Sequence, residues 1–297
     1  MTTTPRERTV LANGLAHHVV EWGPPVEAGR PTVLALHGFL DLAWGWRLVA
    51  ERLAAAGMTV LAPDLRGHGE TQRIGAGGAY HFVDYLFDVA DLVDALVPGP
   101  LHLIGHSMGG ALASYFTGTY PARVDKLVVM EGIGLPEEPV TAFPLRTEEW
   151  ITTTRRARAR RPRVHADLDA ATARMLEQDG KCPPDFARFL AERGTVPAPD
   201  GRGLVFRHDP LHLSRGPTPF RLDMAESYWR RIACPVLFVD GSESPFAHLP
   251  DLERRYASFG DGTRAHRRLT LEGAGHMMIR HRPEELARGL VEFLSEK

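Results

Sequence analysis

Residues Gly105-His106-Ser107-Met108-Gly109 constrain this chain more than any other stretch. The apolar run Leu101-His102-Leu103-Ile104 before them reads as a buried strand, and Gly110-Ala-Leu-Ala-Ser-Tyr-Phe after them opens a helix. Strand, turn and helix in immediate succession leave the serine at the tip of a sharp bend. The backbone there is strained, and a side chain at either flanking glycine would strike the neighbouring strand or helix. In return the hydroxyl stands exposed beside a helix N-terminus, where backbone N–H groups and the helix dipole favour developing negative charge.

The rest of the chain reads as alternating strands and helices. Val10-Leu-Ala, Asn13-Gly14 and Leu15–Val20 form a hairpin signal around an Asn-Gly turn. Continuous apolar runs at Thr32–Leu36, Met58–Ala62, Lys126–Met130, Pro235–Val239 and Arg268–Leu271 read as further strands. Helical spacing marks Trp46–Ala56, Tyr85–Val97 and Glu284–Leu294. This alternation predicts right-handed βαβ units, a mostly parallel sheet and an α/β class of fold. The rhythm breaks between Leu135 and Tyr228, where no buried strand is legible, while Thr147–Arg161, Ala170–Gln178 and Pro184–Arg193 look helical and Val196–Pro219 looks like loop. The economical organisation is a core of 1–134 and 230–297 interrupted by a helical insertion, 135–229, that walls a pocket over the strand ends. Phe143, Trp150, Phe186, Phe189, Tyr228 and Trp229 are the large insertion side chains that could face it.

Composition narrows the functions. With 297 residues, a net charge of -2 and 24% charged residues, the chain gives no electrostatic case for nucleic acid or an anionic membrane. No apolar stretch approaches transmembrane length, and MTTTPRERTV lacks the apolar core of a signal peptide. Cys182 and Cys234 are too few for a disulfide framework, which suits a reducing, cytoplasmic setting. The 14 histidines form no metal signature; His208 and His212 are separated by Pro210, which argues against a shared helix face. Monomer and homodimer both remain open.

A serine hydroxyl becomes a nucleophile only when a base takes its proton and an acid orients that base. His276, in the glycine-rich loop Glu272-Gly-Ala-Gly-His276 after the last strand, is placed to fold back over the carboxyl edge of the sheet, where open α/β sheets bind ligands. An oxyanion hole needs two backbone N–H groups. Met108 supplies one, and Phe39, in His37-Gly38-Phe39 directly after the third strand, offers the other. His37 and His106 read as residues that structure turns.

Taken in order, Asn13-Gly14, His37-Gly38-Phe39, Asp64-Leu-Arg-Gly-His-Gly69, Gly105–Gly109 and Gly275-His276 resemble the α/β-hydrolase family, and Leu36–Asp41 is similar to its serine-hydrolase-like members. The resemblance implies a core sheet of about eight strands, a lid made by the insertion, and a cofactor-free serine hydrolase of carboxylesterase type acting on a small acyl substrate. Relatives that open epoxides or remove halide use Asp at the elbow, so Ser107 points away from them, while thioesterases, C–C bond hydrolases and acyltransferases stay open. Many members carry the acid as Gly-x-x-Asp after the strand that follows the lid, but here Val239-Asp240-Gly241-Ser242-Glu243-Ser244 puts Ser244 in that slot. Others take it from the end of the strand after the elbow helix, which here is Glu131. Glu131 is therefore the expected acid, with Glu243 and Asp240 as alternatives. A vacant acid slot also fits a rival reading, a silent hydrolase fold that only binds ligand. Asp64, Arg66 and His68 read as a brace beneath the site. Trp44 and Trp46 read as core packing at a helix start, and the run Arg155, Arg156, Arg158, Arg160, Arg161 and Arg163 as a solvated helix face.

Overall fold

The computed structural model describes residues 4–27, 29–249, 251–260 and 266–296. Eight strands, β1 (Arg6–Ala12), β2 (Leu15–Trp22), β3 (Thr32–Leu36), β4 (Thr59–Pro63), β5 (Leu101–His106), β6 (Val124–Met130), β9 (Val236–Gly241) and β10 (Arg267–Leu271), form one sheet in the order β1-β2-β4-β3-β5-β6-β9-β10. The β1–β2 and β2–β4 pairs are antiparallel and the remaining pairs parallel. Strand β1 is longer than the three apolar residues that signal it, because Arg6, Glu7, Arg8 and Thr9 occupy an exposed sheet edge where charge discourages further pairing.

Period-two alternation splits the core between the two faces. Val33 and Ala35 of β3, Ile104 of β5, Val128 and Met130 of β6, and Leu237 and Val239 of β9 pack on one side with α1 (Arg47–Ala55) and α10 (Pro283–Ser295). Leu34 and Leu36, Leu101 and Leu103, Leu127 and Val129, and Val236 and Phe238 face the other, under α2 (Phe82–Leu96) and α3 (Met108–Thr119). Central strands covered on both faces offer few solvated positions, which is why their sequences read as largely apolar runs. Trp44 and Trp46 are buried in this core, with Trp44 packed edge-on against Trp22 and Phe189.

Between β6 and β9 the chain forms α4 (Phe143–Ala159), α5 (Leu168–Gln178), α6 (Pro184–Gly194), a ribbon of β7 (Thr195–Pro197) and β8 (Leu204–Phe206), and α7 (Leu222–Trp229). The stretch 196–219, expected as loop, thus contains a two-stranded ribbon and a single turn of 3-10 helix at Pro210–Leu213. Strands of three residues are too short to show a period, and Pro197 further masks the first. Helix α7 buries Leu222, Ala225 and Trp229 with the core helices, and the Trp229 indole N–H donates to Ser114 Oγ of α3 at 3.0 Å. The arginine run at 155–163 is exposed. After β9 follow α8 (Leu252–Ala257) and, beyond β10, α9 (Met278–His281) and α10. Among the described residues no helix is long and apolar enough to cross a membrane.

Candidate active site

The parallel register sets the ends of three strands side by side: His106 lies opposite Met130, and Met130 opposite Val239. The next residues, Ser107, Glu131 and Asp240, therefore emerge at one edge of the sheet. Ser107 turns the chain from β5 into α3 with φ +54° and ψ −119°, a region that side chains avoid, and its N–H donates to Met130 O at 2.8 Å. The glycines hold that turn. A Cβ on Gly105 would lie 2.2 Å from Gly109 O, and one on Gly109 would lie 2.2 Å from Leu36 O.

Glu131 repeats the device one strand over. Its φ is +46°, and Gly132 behind it presses on α3 so closely that a Cβ there would meet Gly110 Cα at 2.5 Å. The turn carries the carboxylate into the protein, where its side chain is fully buried. Glu131 Oε1 accepts from Gly241 N–H at 2.9 Å, and Oε2 accepts from Ser244 Oγ at 2.6 Å and from His276 Nδ1 at 2.5 Å. Burial opposes the charge, but the bonds from His276, Ser244 and the Gly241 amide outweigh it and hold the carboxyl below its ordinary value. Because Nδ1–H donates to Glu131, the His276 tautomer leaves Nε2 free to accept a proton.

Four contacts fix the imidazole and its loop. Burial and the neighbouring His276 hold His106 at a pKa of about 4, so its ring is neutral, and its Nε2–H donates to His276 O at 2.7 Å. The Phe246 ring lies 4.5 Å from that of His276. Below, Gly275 N–H donates to His281 Nδ1 at 3.1 Å, and His281 Nε2–H donates to Asp179 Oδ1 at 2.7 Å. Asp179 belongs to the insertion, so a residue outside the core tethers the histidine loop.

The structure thus brings Glu131 and His276 into direct contact and seats Ser107 at the adjoining strand end. It sends the two alternative acids elsewhere. Asp240 accepts from Tyr256 O–H at 2.7 Å, and burial raises its pKa more than that bond lowers it. Glu243 sits on the surface paired with Lys181. Ser244, the residue in the acid slot, is neither vacant nor inert, since it donates to the carboxylate that the neighbouring strand supplies. Sequence reasoning missed that role, and also missed Phe246 and the tether through His281.

The segment after β3 abuts the serine. A Cβ on Gly38 would stand 3.0 Å from His106 Nδ1 and 3.2 Å from Ser107 Cβ. His37 orders this turn: its Nδ1–H donates to Gly38 O at 2.7 Å and its Nε2 accepts from Leu65 N–H at 2.9 Å. Asp64 pins it from beneath, accepting from Ala43 N–H at 2.6 Å, Glu70 N–H at 2.9 Å and His18 Nδ1–H at 2.7 Å. Arg66 meets Asp88 through two bonds of 2.5 Å, and His68 Nε2 accepts from Leu40 N–H at 3.2 Å. Phe39 and Met108, whose amides were expected to hold an oxyanion, join Ser107 and Glu131 in the wall of a cavity of 430 Å³, with Tyr115 and Phe220 among its aromatic lining. That size suits a small ligand.

Sheet order, the strained bend at Ser107 and the inserted helices define an α/β hydrolase, and the chain belongs to that family: the family model described as alpha/beta hydrolase fold matches residues 31–280. Within it, the chain is 28% identical to epoxide hydrolase A of Mycobacterium tuberculosis, with 98% of each chain covered. It is 24% identical to a serine hydrolase-like protein of Dictyostelium discoideum, covering 97% of this chain and 80% of that one. Among solved structures, the thioesterase domain from the curacin biosynthetic pathway matches with a TM-score of 0.83 at 25% identity, covering 99% of this chain and 100% of that one. A hypothetical protein of Pseudomonas aeruginosa matches with a TM-score of 0.86 at 26% identity, over 98% and 99% of the two chains.

Proposed function

We propose that this protein is a serine hydrolase that cleaves a small ester, or a related acyl compound, through a covalent acyl-enzyme. The observation that carries the reading is the Glu131–His276 pair, Nδ1 to Oε2 at 2.5 Å, beside a serine held in a strained elbow. In this mechanism His276 Nε2 takes the proton as Ser107 Oγ bonds to the substrate carbonyl carbon, and the carbonyl electron pair moves to oxygen. The Phe39 and Met108 amides receive that oxyanion. Collapse breaks the bond to the leaving group, which departs with the proton from His276. Water then attacks the acyl carbon, again losing its proton to His276, and the free acid leaves as Ser107 regains its hydrogen. Glu131 stays ionised throughout and stabilises the imidazolium.

Two relatives bear on the choice of bond. The M. tuberculosis relative is named an epoxide hydrolase, but the Asp-nucleophile route needs a carboxylate at the elbow, where this chain has a hydroxyl. The structural neighbour named a thioesterase domain supports the acyl route, with sulfur in place of oxygen as the leaving atom. A fluorophosphonate probe followed by intact-mass measurement tests the proposal. Wild type is expected to gain one adduct, mapped to Ser107, that Ser107→Ala does not form. An unlabelled wild type would favour a silent ligand-binding fold instead.

A further inference from the structure

The cavity beside Ser107 is lined mainly by apolar side chains, and among the described residues one cation enters its wall. Arg146, in the first turn of α4, stands in its wall among Phe82, Leu135, Phe220 and Met224, and is only 8% exposed. Arginine does not give up its proton in proteins, so this is a buried, permanent cation. Its partners do not account for it. Among the described residues Nε and Nη1 have no hydrogen-bond acceptor, and Nη2 reaches Glu138 Oε1 only at 3.4 Å. The same Glu138 oxygen also lies 3.4 Å from Arg215 Nη2, so one partly exposed carboxylate is shared between two guanidinium groups. The acidic group in the wall, Glu131, is already engaged by His276, Ser244 and Gly241. A buried cation without full compensation is unfavourable unless something else supplies the charge.

Resting on the serine-hydrolase reading, we infer that Arg146 is a specificity residue that receives a carboxylate at the far end of the acyl chain, making hemi-esters of dicarboxylic acids the preferred substrates. Several features support a carboxylate. A planar guanidinium is matched to it in shape and charge. The apolar wall around Arg146 lowers the local dielectric, which strengthens such a pair once water has left. The same wall accepts the methylene chain between the two ends. The exposed arginines at 155–163 have no part in this, because they point to solvent rather than into the cavity.

The test pairs two p-nitrophenyl esters of equal acyl length, the hydrogen glutarate and the neutral pentanoate. It adds calorimetric titration with glutarate, which requires no turnover. Wild type is expected to favour the hemi-ester in kcat/KM, Arg146→Gln to lower the hemi-ester to neutral ratio by about 10- to 100-fold, and glutarate binding to weaken in parallel. Glu138→Gln is expected to raise the ratio, since it removes the competing carboxylate. Because α4 could loosen in Arg146→Gln, Arg146→Lys, which keeps the charge, should retain an intermediate ratio. Ser107-dependent turnover of the neutral ester with no wild-type preference for the hemi-ester overturns the carboxylate subsite and leaves the hydrolase reading standing. Arg146-dependent glutarate binding without turnover of either ester keeps the subsite and sinks that reading. Absence of both overturns both.

Discussion

Two adjacent strand ends present a buried carboxylate and a half-buried one, and the protein treats them in opposite ways. Glu131 follows β6 and Asp240 ends the matching stretch of β9, with Met130 and Val239 paired just before them. Glu131 gathers three donors and is held below its ordinary pKa, whereas among the described residues Asp240 has the single donor Tyr256 O–H and burial pushes it up. The difference teaches that the charge state of a carboxylate is set by the donors around it rather than by its place in the sequence. Ser244 makes the point most directly, because the position where an acid was expected instead supplies a hydrogen bond to a carboxylate that follows the neighbouring strand.

The sharpest way to break that contrast is to neutralise each carboxylate in turn. Glu131→Gln should lower kcat by about 10³- to 10⁴-fold with the fold retained, read with an activated ester and by the rate of fluorophosphonate labelling. Asp240→Asn should leave kcat within about twofold, since it removes no partner of His276. If the Asp240 variant lost more activity, the assignment would reverse. Next in size is the transfer of the carboxylate to position 244. The double variant Glu131→Gln/Ser244→Asp should recover about 10-fold or more over Glu131→Gln alone, because an aspartate at 244 stands where a donor to the same carboxylate now stands.

Smaller effects follow from the pKa shifts. Ser244→Ala removes one donor to Glu131 and should lower kcat by about 3- to 10-fold. It should also raise the folded-state pKa of Glu131. A depressed carboxylate stabilises the fold above its unfolded pKa and loses that contribution as pH falls through its folded pKa. Raising the lower bound narrows this window, so acid unfolding of the variant should begin at higher pH than in wild type. For Asp240 the sign is opposite. A raised carboxylate contributes fully below its unfolded pKa and loses that contribution as pH rises through the folded pKa. Asp240→Asn should therefore be neutral or stabilising by no more than about 1 kcal/mol at pH 7, and the difference should vanish in acid, as thermal melts at both pH values would show.

Much of this arrangement was legible in the chain. Continuous apolar runs gave the central strands because both faces are covered, and Gly105 and Gly109 around Ser107 declared the elbow because a Cβ at either glycine would strike backbone. Asn13-Gly14 marked the hairpin. Glu131 was the expected acid because Ser244 cannot carry a charge, and the structure sets Glu131 against His276. What stayed hidden depends on distance along the chain: the Ser244 bond to Glu131 spans 113 residues, and the Asp179 contact with His281 spans 102. No local pattern reports such a meeting. The ribbon at Thr195–Pro197 and Leu204–Phe206 was lost because its strands are shorter than a period. Arg146 was invisible for another reason, since an arginine in a helix reads as solvated until its burial is known.

The tether from Asp179 through His281 to Gly275 has a consequence for how this protein could diverge. The insertion does not behave as an exchangeable attachment, because it carries an anchor for the loop that bears the histidine. Recombining residues 135–229 with those of a relative would replace one side of the pocket wall and that anchor in a single event. New substrate preference and misaligned histidine would then be inherited together. Libraries that vary the pocket-facing positions while keeping Asp179 and His281 as a unit separate the two outcomes.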